Sequence, residues 1–183
     1  METADAARFA ELFDRTHARV LAYALRRVNS PEDAADVVGD TYLAAWRRIE
    51  EVPDGEPALF WLFATARRAT ANQRRGERRR DALTDRLRED LLTQTRDRPD
   101  EPESVVGIAL RHLSDEDQEL LRLDAWEQLP PRDIALVLDL PSATCRVRLH
   151  RARRRLAAQI DRISPSHHAA VHEMPADVSR TTP

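Results

Sequence analysis

Apolar residues recur along the chain at helical rather than strand spacing. In "DAARFAELFDRTHARVLAYALRRV", Phe9, Leu12, Phe13, Val20, Leu21, Ala24 and Val28 fall on one side of a 3.6-residue repeat. "NSPEDAADVVGDTYLAAWRRI" predicts a second helix with an apolar stripe of Ala35, Val38, Tyr42, Ala45 or Trp46, and Ile49. Asn29 or Ser30 is expected to cap it, Pro31 suits its first turn, and Glu32 and Asp33 sit near the positive end of its dipole. "EVPDGEP" is a break, and "ALFWLFATARRATANQRRGERRR" resumes helix to about Gly76.

Residues 81–103 are polar and acidic. Their first half suits a short helix, and their second half, with Pro99 and Pro102, reads as a flexible linker. A second unit begins near Ser104 with the short amphipathic helix "SVVGIALRHL". Ser114, three residues before Asp117, predicts a capping box opening a helix that buries Leu120, Leu121 and Leu123 or Asp124. Pro130 and Pro131 end that helix and start "RDIALVL"; "DLP" turns the chain, and Ser142 is expected to cap a long last helix. After Ile160 periodicity fades, which predicts a disordered tail. The expected fold is all-α: two small helical domains, residues 6–80 and 104–162, joined by the linker 81–103 and followed by the tail 163–183. The second domain has the pattern of a helix-turn-helix.

Composition narrows the function. There is one cysteine, Cys145, so no internal disulfide is possible, and Cys145 is expected in the core. The first residues lack the pattern of a signal peptide, and no apolar run is long enough to span a membrane, so a cytoplasmic protein without membrane insertion is expected. The formal net charge is -3, yet two blocks are strongly basic. Arg67 to Arg80 contains seven arginines and one glutamate, and Arg146 to Arg155 contains six arginines and no acid. All 29 basic residues are arginine. Two anion-binding surfaces in an acidic chain point to nucleic acid.

On the last helix, Cys145, Leu149, Ala152 and Leu156 form a narrow inward stripe at 100° per residue. Arg146, His150, Arg153 and Arg154 face away from it, and Arg148, Arg151 and Arg155 flank it. Such a helix fits a major groove, where arginine forks onto guanine O6 and N7 and also pairs with phosphates. The first amides, from Ser142 to Thr144, suit a phosphate. A solvated charged face is the plain alternative. In the first domain, Phe60, Trp61 and Phe63 precede Arg67, Arg68, Arg74, Arg75 and Arg78 to Arg80. Aromatics for bases beside arginines for phosphates suit single-stranded nucleic acid, although each aromatic taken alone fits a core position. Asp33, Asp36 and Asp40 share a helix face with Arg47 beyond them, suited to a basic protein partner or simply to water. A metal reading of these carboxylates lacks a histidine, and no nucleophile elbow, phosphate loop or zinc motif is present. No enzymatic activity and no cofactor is expected.

With these motifs in hand, the chain resembles the extracytoplasmic-function (ECF, group 4) sigma factors of the sigma-70 family, over residues 6–160. "LPPRDIALVLDLPSATCRVRLHRARRRL" is similar to the family's fourth region, "AADVVGDTYLAAW" to a helix of its second region, and "WLFATARRATANQRR" to the helix that follows. The resemblance implies binding of core RNA polymerase at its clamp and flap, melting of the -10 promoter element and reading of the -35 element. It also implies an anti-sigma factor and a place in stress response. By position it implies that Asp33, Asp36, Asp40 and Arg47 meet the polymerase, and that Trp61, Arg67, Arg68, Arg74 and Arg75 meet the -10 strand. Ser142, Thr144, Arg146, Arg148, His150 and Arg151 would approach the -35 duplex. Ala35, Gly39, Arg68 and Asn72 depart from the family's usual glutamate, glutamine, asparagine and aspartate. Asp139 stands at a turn position usually occupied by glycine, and Val147 where a small polar residue is usual. A dimeric helix-turn-helix regulator, a sigma-like protein that does not itself initiate, and a metal-dependent nuclease remain rival readings.

Overall fold

The structure, a computed structural model, describes residues 2–87 and 104–164. The expected linker beyond residue 87 and the expected tail from 165 onward lie outside the described residues. Every regular element among the described residues is helical. The first unit comprises α1 (Glu2–Leu25), α2 (Pro31–Arg47), a 3-10 turn (Ile49–Glu51) and α3 (Pro57–Leu87). The second comprises α4 (Val105–Arg111), α5 (Asp115–Ala125), α6 (Pro131–Leu138) and α7 (Ser142–Ile163).

In the first unit α1, α2 and α3 pack on one another. Their seam is closed by Val20, Tyr23, Ala34, Val37, Leu62 and Phe63, each essentially without solvent contact. A fully buried side chain such as leucine or phenylalanine contributes about 1.5–3 kcal/mol. Ser30 begins α2 as expected: its hydroxyl accepts from the Asp33 amide at 3.1 Å. The inward stripe of α2 contains the expected Val38, Tyr42, Ala45 and Ile49 but takes Ala34 in place of Ala35. Ala34, Val37, Val38, Thr41, Tyr42 and Ala45 are buried, while Ala35 is exposed and Trp46 is 42% exposed. The Arg8 guanidinium donates to the carbonyls of Ile49 at 2.9 Å and Val52 at 2.6 Å, tying the proline-containing break to α1.

In the second unit α7 is the spine, packed against α4, α5 and α6. The expected stripe is the one observed: Cys145, Leu149 and Ala152 are buried and Leu156 packs partly against the core. Burial, followed by the charge of Asp124, pushes the Cys145 thiol up from its ordinary value. Ser104 and Ser114 cap α4 and α5 through the amides of Gly107 and Asp117. Asp139 ends α6 in the left-handed region, φ 54° and ψ 53°, as its position in the turn demands. Two expectations are corrected. The cap of α7 is Pro141 rather than Ser142, and no side chain fills that cap. The third helix does not stop near Gly76 but continues to Leu87.

Candidate nucleic-acid and polymerase interfaces

The basic helix α7 divides its arginines between two tasks. Arg153 grips Asp124 of α5 through both carboxylate oxygens, with contacts of 2.7 and 2.8 Å. Arg155 grips Asp117 in the same forked way, at 2.6 and 2.7 Å. The hydrogen bond to Asp117 raises the Arg155 pKa above its ordinary value. These pairs hold the helix on its support. Arg146, Arg151 and Arg154 are exposed and have no ion-pair partner among the described residues, and Arg148 reaches Glu116 only at 3.7 Å. Thr144 is half-buried, whereas Ser142 and His150 are exposed. Because no side chain caps α7, its first amides remain open to an outside acceptor. Val147 is 50% exposed on the same helix.

In the first unit, Phe60 and Phe63 belong to the core, Phe63 stacking on Tyr23 at 4.9 Å between ring centroids. Trp61 alone of the three aromatics is half-exposed. Arg67 and Arg68 project from α3 with no ion-pair partner among the described residues. Arg75 donates to Asn72, and Arg74 donates to the Arg27 carbonyl at 2.8 Å. Along α2, Asp36, Gly39, Asp40, Leu43, Trp46 and Arg47 are all exposed. Asp33 is not free like its neighbours. It accepts from Gln73 at 2.6 Å and from the Ser30 hydroxyl at 2.7 Å, joining α2 to α3. Among the described residues, no three histidine, cysteine or acidic side chains come together in a way that could hold a metal.

Sequence reasoning did not single out Tyr23, Arg27, Glu119 or Glu127, which meet between the two units. Arg27 is 5% exposed and lies over the Tyr23 ring, 3.4 Å from its centroid. Its guanidinium donates to Glu119 at 2.8 Å and to Glu127 at 3.1 Å. Tyr23 donates its hydroxyl to Glu119 at 2.8 Å. Burial, and next the Glu119 charge, hold the Tyr23 pKa well above its ordinary value, so the phenol stays a donor. Burial alone would lower the Arg27 pKa; the carboxylates of Glu119 and Glu127 help to offset it, and the pKa stands above its ordinary value. Arg26 adds a second contact to Glu127 at 3.3 Å. Beside this cluster lies a cavity of about 610 Å³, with Arg67, Arg68 and Arg75 on one wall and Asp115, Glu116 and Glu119 on the other.

Among the described residues the fold is that of a two-unit, all-helical protein with an arginine-rich surface on each unit. Residues 12–80 match sigma-70 region 2 and residues 108–156 match sigma-70 region 4. The chain is 32% identical over 161 residues to the ECF RNA polymerase sigma factor SigL of Mycobacterium tuberculosis, covering 84% of this chain and 89% of that protein. It is 31% identical over 151 residues to the ECF RNA polymerase sigma-E factor of Haemophilus influenzae, covering 74% and 79%. The sigma factor RpoE of Bartonella quintana, solved in complex with the anti-sigma factor NepR, shares the fold with TM-score 0.63 at 22% identity, over 87% of this chain and 98% of that one. The chain belongs to the ECF sigma factors of the sigma-70 family.

Proposed function

We propose that this sigma factor joins core RNA polymerase through the exposed face of α2, opens the -10 element along α3 and reads the -35 duplex with α7. On α2 the contacting residues are Asp36, Asp40 and Arg47, while Asp33 fixes the helix from within. On α3, Trp61 offers a stacking surface and Arg67, Arg68, Arg74 and Arg75 a phosphate track. On α7, Arg146, Arg148 and Arg151 face the groove with His150, while Ser142 and Thr144 lie at the helix start where a phosphate would sit. The chain supplies promoter recognition and strand opening; the polymerase supplies the chemistry. An anti-sigma factor is a further expected partner, as the RpoE of Bartonella quintana has in NepR.

One observation carries this reading. The arginines of α7 that the second unit uses for its own cohesion, Arg153 and Arg155, are separate from those left unneutralised among the described residues, Arg146, Arg151 and Arg154. Arg146 and Arg151 are, on this reading, free to meet the -35 duplex without giving up a contact that holds the unit together. A duplex bearing a matched -35 element should therefore lose binding on Arg148→Glu/Arg151→Glu in the presence of core polymerase, with the helical content of the chain unchanged. Equal binding by the variant and the parent would overturn the assignment.

A further inference from the structure

We infer that Val147 is a base-reading residue: it lies against the C5-methyl group of a thymine in the -35 element and selects that base by apolar contact. The inference rests on the -35 assignment proposed above and adds to it the chemistry of one position. Cys145, Leu149 and Ala152 form the buried stripe by which α7 sits on its support. At the helical step of about 100° per residue, Val147 stands roughly 200° around the axis from Cys145, almost directly opposite that stripe. Arg146 and Arg148 fall on its two shoulders, and all three side chains are exposed, Val147 by 50%. Ala143, one turn earlier on the same line, is exposed and small, so it does not hold the helix away from a surface that approaches Val147. Val147 lies outside the hydrophobic core of its unit.

A helix seated in a major groove turns the side opposite its support toward the base edges, and its first turns make the base contacts. Val147 falls within the first two turns of α7, which begins at Ser142. The shoulder arginines are then directed to the phosphates on either side of the groove. Arg148 leans toward α5, where Glu116 lies 3.7 Å away, so it stands off the groove floor. That leaves a side chain with no hydrogen-bonding atom facing the bases. Thymine alone presents a methyl group in the major groove. Cytosine and adenine present an amino donor there, which would lose water against valine without gaining an acceptor. An apolar residue between two arginines therefore selects thymine, while the arginines hold the register.

The test uses the full chain with core polymerase and a duplex carrying the -35 element preferred in a promoter library. Each thymine of that element, on either strand, is replaced in turn by deoxyuridine, which lacks only the C5 methyl. At one position the exchange should weaken binding by the parent about fourfold, the effect of one buried methyl group. Val147→Ser should bind the thymine and uracil forms of that position alike. Serine ranks with valine in helix propensity, so the variant should melt with the parent in circular dichroism. A parent indifferent to every thymine-to-uracil exchange would overturn the inference, as would a variant that keeps the parent's sensitivity. Arg148→Glu/Arg151→Glu separates that failure from failure of the -35 assignment. If the charge reversal abolishes binding while the parent ignores the methyl, the -35 assignment stands and the role of Val147 falls. If the reversal changes nothing, the -35 assignment falls and takes the role of Val147 with it.

Discussion

At the residue scale, two positions carry sharp expectations. Asp139 adopts a left-handed conformation that costs a side chain roughly 1 kcal/mol relative to glycine. Asp139→Gly should therefore raise the stability of the second unit by about that much in thermal denaturation; a lowered midpoint would mean that the carboxylate itself holds the turn. Gly39 lies within α2, and a Cβ built there meets nothing within 4 Å. Gly39→Ala should stabilise the first unit by about 1 kcal/mol through helix propensity alone. If the polymerase needs a flat patch at this point, the same variant will weaken core binding while the protein melts higher. Such local features are readable from sequence because they depend on a turn or on one helix face. The burial of Cys145, Leu149 and Ala152 follows from spacing, and the conformation of Asp139 from its place between two helices. Arg27 is not readable in this way. An arginine at the end of an amphipathic helix predicts solvent, and its burial depends on acids 92 and 100 residues away.

At the scale of the helix, the difference between support and recognition can be measured on α7. Arg153→Ala/Arg155→Ala should lower the melting temperature of the second unit, since both arginines tie α7 to α5. Arg146→Ala/Arg151→Ala should leave stability within about 0.5 kcal/mol of the parent, yet weaken duplex binding. The reverse pattern would mean that the roles are exchanged. The Ser30 hydroxyl both caps α2 and binds Asp33. Ser30→Ala should cost about 1 kcal/mol in chemical denaturation of the first unit, and an unchanged midpoint would contradict that role. Periodicity places the helices well but their edges less so. It ends the third helix near Gly76, yet α3 runs to Leu87 and packs against α6 of the other unit. A single glycine costs a helix only about 1 kcal/mol, which tertiary packing readily overrides. The start of the α2 stripe falls at Ala34 rather than Ala35 because the two are equally apolar; only the packed neighbours choose between them.

Across the whole molecule, the charge pattern explains why an acidic chain can serve DNA. The basic surfaces are local, and acids of α5 stand near both. Affinity of the free chain for DNA should accordingly be low, and should rise when the polymerase fixes the two units apart. With core polymerase present, the slope of log affinity against log salt should become shallower by about 2 when Arg148 and Arg151 are both neutralised, close to one counterion for each phosphate no longer engaged. The identity of the two units is legible from their motifs, because helix faces and arginine runs are written in consecutive residues. The junction between the units is not, because the packing of α3 on α6 and the side chains that meet on and just beyond α1 and α5 come from distant parts of the chain. The most direct measurement is run-off transcription with purified core polymerase on a library of promoters. It would compare the parent with Arg148→Glu/Arg151→Glu and, separately, with Arg67→Glu/Arg68→Glu. The parent should give discrete transcript starts, with each charge-reversed variant losing most of them. Undiminished initiation by both variants would contradict the claim that these two arginine surfaces engage the promoter.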